Sequence, residues 1–177
     1  MKMNTMNGDF NFFTVIGCMD GRQTRPIEEF IKNKIVSSGE SREVVIDQIL
    51  GPGIDAILAG ESDFASPEMY KKMAQISANH HGSQVAIVVG HSCCAGNLAN
   101  DEGHKKHICA SLETVRSWGL FKKIIGVFVD EQRRVEVVSE YSQATEGESH
   151  TDPAVPVSVP DSDSDSDSDF VSDPATA

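Results

Sequence analysis

No run of apolar residues in this chain approaches the roughly 18 that a membrane-spanning helix requires, so no membrane partner is expected. Met1–Phe13 carries one lysine and no apolar stretch of the length a secretory signal needs, and the expectation is a cytoplasmic protein. Cysteine is sparse. Four in 177 residues are too few for a disulfide scaffold, and in a reducing compartment cysteines serve more often as ligands or nucleophiles than as staples. Cation is also scarce, with 15 Lys and Arg against 27 Asp and Glu, and nothing resembles the clustered basic surface that nucleic acid requires.

The acidic excess is unevenly placed. Gln143–Ala177 holds nine acidic residues, no Lys or Arg, and four of the seven prolines, and includes the repeat Asp161–Asp169 (DSDSDSDSD). Subtraction leaves 18 acids and 15 bases in Met1–Ser142, a net charge of −3. A segment of one charge sign and little hydrophobicity cannot bury enough apolar surface to offset its ordering entropy. Residues 143–177 are therefore expected to be a disordered, solvated tail, and residues 1–142 a folded domain. The repeat lacks the glycine turn and terminal Glu of a calcium loop.

Within the folded part, apolar runs alternate with helical spacings. Phe12–Gly17 (FFTVIG), Val44–Leu50 (VVIDQIL), Val85–Gly90 (VAIVVG) and Lys123–Val129 (KIIGVFV) read as buried strands, and the alternating Val135–Tyr141 (VEVVSEY) as an edge strand. Helical periods cover Arg25–Lys34, Ile54–Leu58, a segment from Pro67 capped by Ser66 and stopped by Gly82, and about Asp101–Trp118. In the third of these, Met69, Met73 and Ile76 read as the core stripe. Strands separated by helices imply crossovers, hence an α/β fold with a mostly parallel sheet of about four or five strands and helices on both faces.

Two polar motifs leave strand ends. Cys18-Met19-Asp20-Gly21-Arg22 follows the first strand, and Gly90-His91-Ser92-Cys93-Cys94-Ala95-Gly96-Asn97 follows the most apolar one. In an open parallel sheet, ligands bind outside the carboxyl ends of the strands. Two thiolates and an imidazole are donors that zinc prefers, and His91 and Cys94, three apart, can face one ion while Cys18 arrives from the neighbouring strand. Three ligands leave a fourth position for water, the pattern of a catalytic site, and zinc lowers the pKa of that water toward neutrality. Because two thiolates cancel the charge of the ion, a nearby carboxylate that accepts the water's hydrogen bond becomes useful. Asp20 is placed for this, with Arg22 to keep it ionised and oriented by a bidentate fork.

Cys18-x-Asp20-x-Arg22 followed by His91-x-x-Cys94 resembles the zinc motifs of the beta-class carbonic anhydrases, over about Phe12–Val129. The resemblance implies one zinc ion per chain on Cys18, His91 and Cys94, and Asp20 and Arg22 as a catalytic dyad beside the zinc-bound water. It also implies reversible hydration of carbon dioxide to bicarbonate, and a homodimer or higher homo-oligomer. Gly51-Pro52-Gly53-Ile54-Asp55 stands where the family usually carries an Arg-Asn-Ala-Gly-like stretch, which marks a compact, divergent member. Two other readings stay open: hydrolysis of a related small molecule such as carbonyl sulfide or carbon disulfide, and a non-catalytic zinc module with Asp20 as fourth ligand.

The remaining candidates have plainer readings. Cys93 competes with Cys94 as ligand, but the three-residue spacing favours Cys94. Cys109 reads as helix packing beside Ile108 and Leu112, and His80 and His81 as imidazoles suited to a helix C-terminus. His104 and His107 read as part of a solvated helix face with Lys105 and Lys106, in preference to a proton shuttle. Gly96 and Asn97 are expected to turn backbone N–H groups toward the site, and Gly51–Asp55 to border it.

Overall fold

The computed structural model describes residues 9–36 and 39–143. Apart from Gln143, the acidic segment expected to be disordered lies outside the described residues. Strand β1 (Phe10–Cys18) leads through a 3-10 turn (Gly21–Gln23) into α1 (Thr24–Phe30), which continues as a π-helical turn over Ile31–Ile35. Then follow β2 (Glu43–Gly51), α2 (Ile54–Ala59), α3 (Pro67–Ile76) with a π-helical turn over Ser77–His81, and β3 (Val85–His91). Helix α4 (Asp101–Ser117), β4 (Lys123–Val129) and β5 (Val135–Ser142) complete the order. No helix among the described residues is long and apolar enough to cross a membrane.

The five strands form one sheet in the order β2-β1-β3-β4-β5. The first four are parallel and β5 runs antiparallel to β4 at the edge, as the alternation of Val135–Tyr141 suggested. The chain leaves β1 toward β2 and later returns to β1's other side as β3, so a topological switch lies between β1 and β3. Residues alternate between faces along each strand. Ile16, Ile49, Ala86, Val88, Ile124 and Phe128 form one core with residues of α2, α3 and α4. Phe13, Val15, Ile87, Val89, Ile125 and Val127 form the other, with Ile27 of α1 and Ile31 of the turn after it. Gly126 admits α4 to the first face: a Cβ there would lie 2.5 Å from Ile108 Cγ2 and 2.6 Å from Leu112 Cδ1.

One expected core stripe is rotated. Met69, Met73 and Ile76 are 48%, 39% and 54% exposed, whereas Tyr70, Ala74 and Ser77 face inward. Both sets have helical spacing, one residue out of step, and polar contacts decide between them. Buried Thr14 of β1 offers a hydroxyl 2.6 Å from Ser77 Oγ, and Ser77 Oγ donates to Asp47 Oδ2 at 2.6 Å. His81 Nδ1 lies 2.7 Å from the same Asp47 oxygen and its ring stacks on Phe12, so this imidazole has a carboxylate partner beyond the helix end. Cys109, expected to pack, is also exposed, because Ile108 and Leu112 define the buried line of α4.

The corrected register of α3 makes a quantitative prediction. Tyr70→Ala lowers unfolding free energy by about 3–5 kcal/mol, the usual cost of removing a buried aromatic ring. Met73→Gln changes it by less than about 0.5 kcal/mol, as for an exposed position. Urea unfolding of the two variants measures the contrast, and equal losses would restore the methionine stripe to the core.

Candidate metal centre

The parallel register pairs Gly17 with Val89, which sets Cys18 beside Gly90 and one residue short of His91. Strand pairing alone thus brings the first motif against the start of the second. Cys94 returns through a sharp turn in which Cys93 adopts φ 55° and Ser92 is fixed twice: its N–H donates to Val129 O at 3.0 Å and its hydroxyl to Asp101 Oδ1 at 2.9 Å. The loop then meets the segment after β2 at backbone contact. A Cβ on Gly53, where φ is +55°, would lie 2.2 Å from Gly96 O, and one on Gly96 would lie 2.5 Å from Gly53 N. Only glycine fits on either side. The expectation that Gly51–Asp55 borders the site rested on strand order, and this contact gives it a steric basis.

Cys18, His91 and Cys94 are buried, and one donor atom from each lies within 4.8 Å of the others. The two sulfurs are 3.6 Å apart. A tetrahedral ion about 2.3 Å from each of two sulfurs sets them near 3.8 Å apart, so the spacing fits zinc with little adjustment. His91 Nδ1–H donates to Ser92 O at 2.9 Å, which leaves the lone pair on Nε2. That Nε2 is buried and has no hydrogen-bond partner. An orphaned acceptor next to two thiols is a donor set that could hold a metal ion.

The electrostatics agree. A hydrogen bond from Cys94 lowers the Cys18 thiol to about 4 against the opposing effect of burial, with further help from His91 and the Gly53 and Asp20 N–H groups. The same contact with Cys18, and burial, push Cys94 upward, while the Gly96 and Asn97 N–H groups pull against them as the sequence suggested. The two sulfurs share one hydrogen bond at 3.6 Å and therefore titrate as a pair. Burial pushes the His91 imidazole down, but the Cys18 sulfur and the Ser92 carbonyl outweigh it and the net shift is upward.

Asp20 and Arg22 meet in a fork. Arg22 Nε lies 3.0 Å from both Asp20 oxygens, Nη2 lies 2.6 Å from Oδ2, and the Arg22 backbone N–H donates to Oδ1 at 3.0 Å. Arg22 holds the Asp20 carboxyl at about 2, well below the usual carboxylate range. Arg22 Nη2 also donates to Cys93 O at 3.2 Å, tying the two motifs together. Cys93 itself points away: it is exposed, and its thiol donates to Glu131 Oε1 at 3.4 Å.

Sequence reasoning missed a buried network behind His91. His104, expected on a solvated face, is fully buried, with Nδ1 2.5 Å from Oδ2 of buried Asp55. Asn97 Nδ2 lies 2.8 Å from the same oxygen and 3.0 Å from His107 Nδ1. Since His104 Nδ1–H serves Asp55, the two Asn97 protons go to Asp55 and His107. The His104 and His91 rings stack with centroids 6.4 Å apart. The available signal was Asp55 itself, a lone acid in the otherwise apolar helix Ile54–Ala59.

A family model described as "Putative carbonic anhydrase" matches residues 8–139, about three quarters of the chain. No curated protein matches it. Among solved structures, the beta-carbonic anhydrase CcaA is 11% identical, with a TM-score of 0.48 over 78% of this chain and 80% of its own. A tetrameric beta-carbonic anhydrase from Sordaria macrospora is 14% identical, with a TM-score of 0.38 over 73% and 82%. A carbon disulfide hydrolase in its apo form is 13% identical, with a TM-score of 0.39 over 70% and 76%. With the family model covering the described fold and both motifs at the switch between β1 and β3, the chain belongs to the carbonic anhydrase family, as a divergent beta-class member.

Proposed function

We propose that this protein holds one zinc ion on Cys18, His91 and Cys94 and catalyses the reversible hydration of carbon dioxide to hydrogencarbonate. The observation that carries the reading is the buried, unpartnered Nε2 of His91 beside two sulfurs at zinc-like separation. When bound, the ion supplies the Lewis acidity that makes a nucleophile of water at neutral pH. The chain's own residues supply order. The Ser92 carbonyl fixes the His91 tautomer, and the loop N–H groups of Gly53, Gly96 and Asn97 stabilise negative sulfur.

With zinc bound, Asp20 would accept a hydrogen bond from a water at the site and orient it toward carbon dioxide. Its fork with Arg22 keeps it ionised through the neutral range and holds the carboxylate toward the guanidinium, which favours Asp20 beside the ion over Asp20 as fourth ligand. A folded-state pKa depressed from 3.8 to about 2 means the pair's contribution is present above the unfolded value and is lost as pH falls through about 2. The dyad therefore adds no inflection to a rate profile between pH 6 and 9. A cytoplasmic setting and homo-oligomeric assembly belong to the same proposal. The exposed apolar line of Met69, Met73 and Ile76 supports the assembly, because exposed apolar patches commonly mark interfaces.

Metal analysis is expected to give about one zinc per chain, lost in Cys94→Ser and kept in Cys93→Ser. Because thiolate is the binding form, zinc binding releases protons from the cysteine pair, measured by calorimetry in buffers of different ionisation enthalpy. Because protons compete with the ion, affinity weakens as pH falls. Stopped-flow hydration assays test the reaction: Asp20→Ala keeps its zinc and loses about 10–100-fold in rate. A zinc-loaded wild-type chain no faster than buffer refutes the activity, and loss of zinc in Asp20→Ala assigns Asp20 to the metal instead.

A further inference from the structure

Gln23 stands at the N-cap of α1, a position that ordinarily takes Ser, Thr, Asp or Asn to accept from the first helical N–H groups, yet its side chain caps nothing. It folds back instead. The side chain is 5% exposed, and its Nε2 donates to the backbone carbonyl of Cys18, five residues earlier. Its Oε1 is buried with no hydrogen-bond partner. Gly17 makes room for this amide: a Cβ there would lie 3.2 Å from Gln23 Nε2, 3.4 Å from its Oε1 and 3.2 Å from Val89 Cβ.

Stability alone does not account for a glutamine here. A methionine would fill the same buried volume without holding an unmatched oxygen out of water. Buried polar atoms without partners gather where a local rule of stability is broken for function. The one bond the amide makes closes the base of the Cys18–Gln23 loop, which starts at the metal-site sulfur and carries Asp20 and Arg22 at its tip. The other ties of the loop are weaker or lie elsewhere. Met19 N–H donates to Gly51 O at 3.1 Å, the Gln23 N–H reaches Asp20 O only at 3.5 Å, and the Arg22 bond to Cys93 O is exposed. The Gln23 bond is buried and joins the two ends.

We propose that Gln23 is a positioning residue for the Asp20–Arg22 pair: by pinning the end of the loop to the Cys18 carbonyl, it sets where the Asp20 carboxylate stands relative to the Cys18 sulfur. Its part in the reaction rests on the hydration activity proposed above. The fork fixes the two side chains to each other, but both belong to the same partly exposed loop, so it does not by itself fix them to the site. That requires the loop to be held, and a misplacement of about 1 Å at a reacting centre is costly in rate. Gln23 touches neither ion nor substrate and acts through Asp20.

The test combines Gln23→Met with Asp20→Ala in the full chain. Gln23→Met is expected to keep about one zinc per chain, to lower kcat for carbon dioxide hydration about tenfold and to leave KM within about twofold. In the Asp20→Ala background the same substitution changes the rate by less than about twofold, because the group it acts through is gone. A second readout needs no turnover: in ¹⁵N-labelled protein the Arg22 Nε–H signal, sharp in the wild type while the fork holds, broadens in Gln23→Met. Gly17→Ala crowds the amide without altering it and reproduces part of both effects, so it carries the test if Gln23→Met fails to fold. An unchanged kcat, a further tenfold loss on top of Asp20→Ala, loss of zinc in Gln23→Met, or an unaltered Arg22 signal overturns the positioning role and leaves the hydration activity standing. A zinc-loaded wild-type chain that does not hydrate carbon dioxide overturns the activity, and the Arg22 signal then decides whether Gln23 orders the pair.

Discussion

Two sulfurs and one ring nitrogen, all buried, converge within 4.8 Å, and that convergence is the constraint around which the rest is arranged. That convergence is costly: two thiols and an imidazole nitrogen with no hydrogen-bond partner are held out of water. The surrounding structure is built to bear this. The register of β1 against β3 sets the first two donors side by side, and the glycine contact between the segment after β2 and the loop after β3 delivers the third. Backbone N–H groups of that same contact point at the sulfurs, so the steric fit and the electrostatic support come from one feature.

Behind the donors, Asp55 links three elements. It belongs to α2, binds His104 of α4, and receives Asn97 from the loop that carries Cys94. Cutting the loop free of α2 would strand a buried carboxylate and a buried imidazole together, so the position of Cys94 is secured by charge burial as well as by packing. A cavity of about 250 Å³ beside His91 has a wall of another kind. Cys93 and Arg133, the non-glycine residues with positive φ among those described, both line the cavity there. One side of the centre is hydrogen-bonded and buried, and the strained residues face solvent.

What could be read in the sequence followed from how local the signal was. The strands announced themselves as short β-branched runs, and each polar motif followed the last residues of a strand, so the sheet edge and all three donors were legible before any coordinates. The orientation of α3 was not. Met69, Met73 and Ile76 make the more apolar stripe, but the inward line was chosen by Thr14 and Asp47, partners distant in sequence, which hold Ser77. The burial of His104 was hidden for the same reason: its neighbours Lys105 and Lys106 suggest water, while the carboxylate that draws it inward lies on another helix. Cys109 shows the converse, since adjacency to Ile108 in sequence becomes a turn of about 100° on a helix and faces it outward.

The separation of the two buried sulfurs also governs their chemistry toward each other. At 3.6 Å they stand about 1.5 Å beyond a covalent sulfur–sulfur bond, and the contact with Cys94 favours the thiolate form of Cys18. A two-electron oxidant acting on the metal-free protein would find its resolving partner in place, and the resulting crosslink would consume both donors at once. An ion held by both sulfurs would remove them from that reaction, so the same short separation that suits a shared metal would also leave the pair open to oxidation before one arrives.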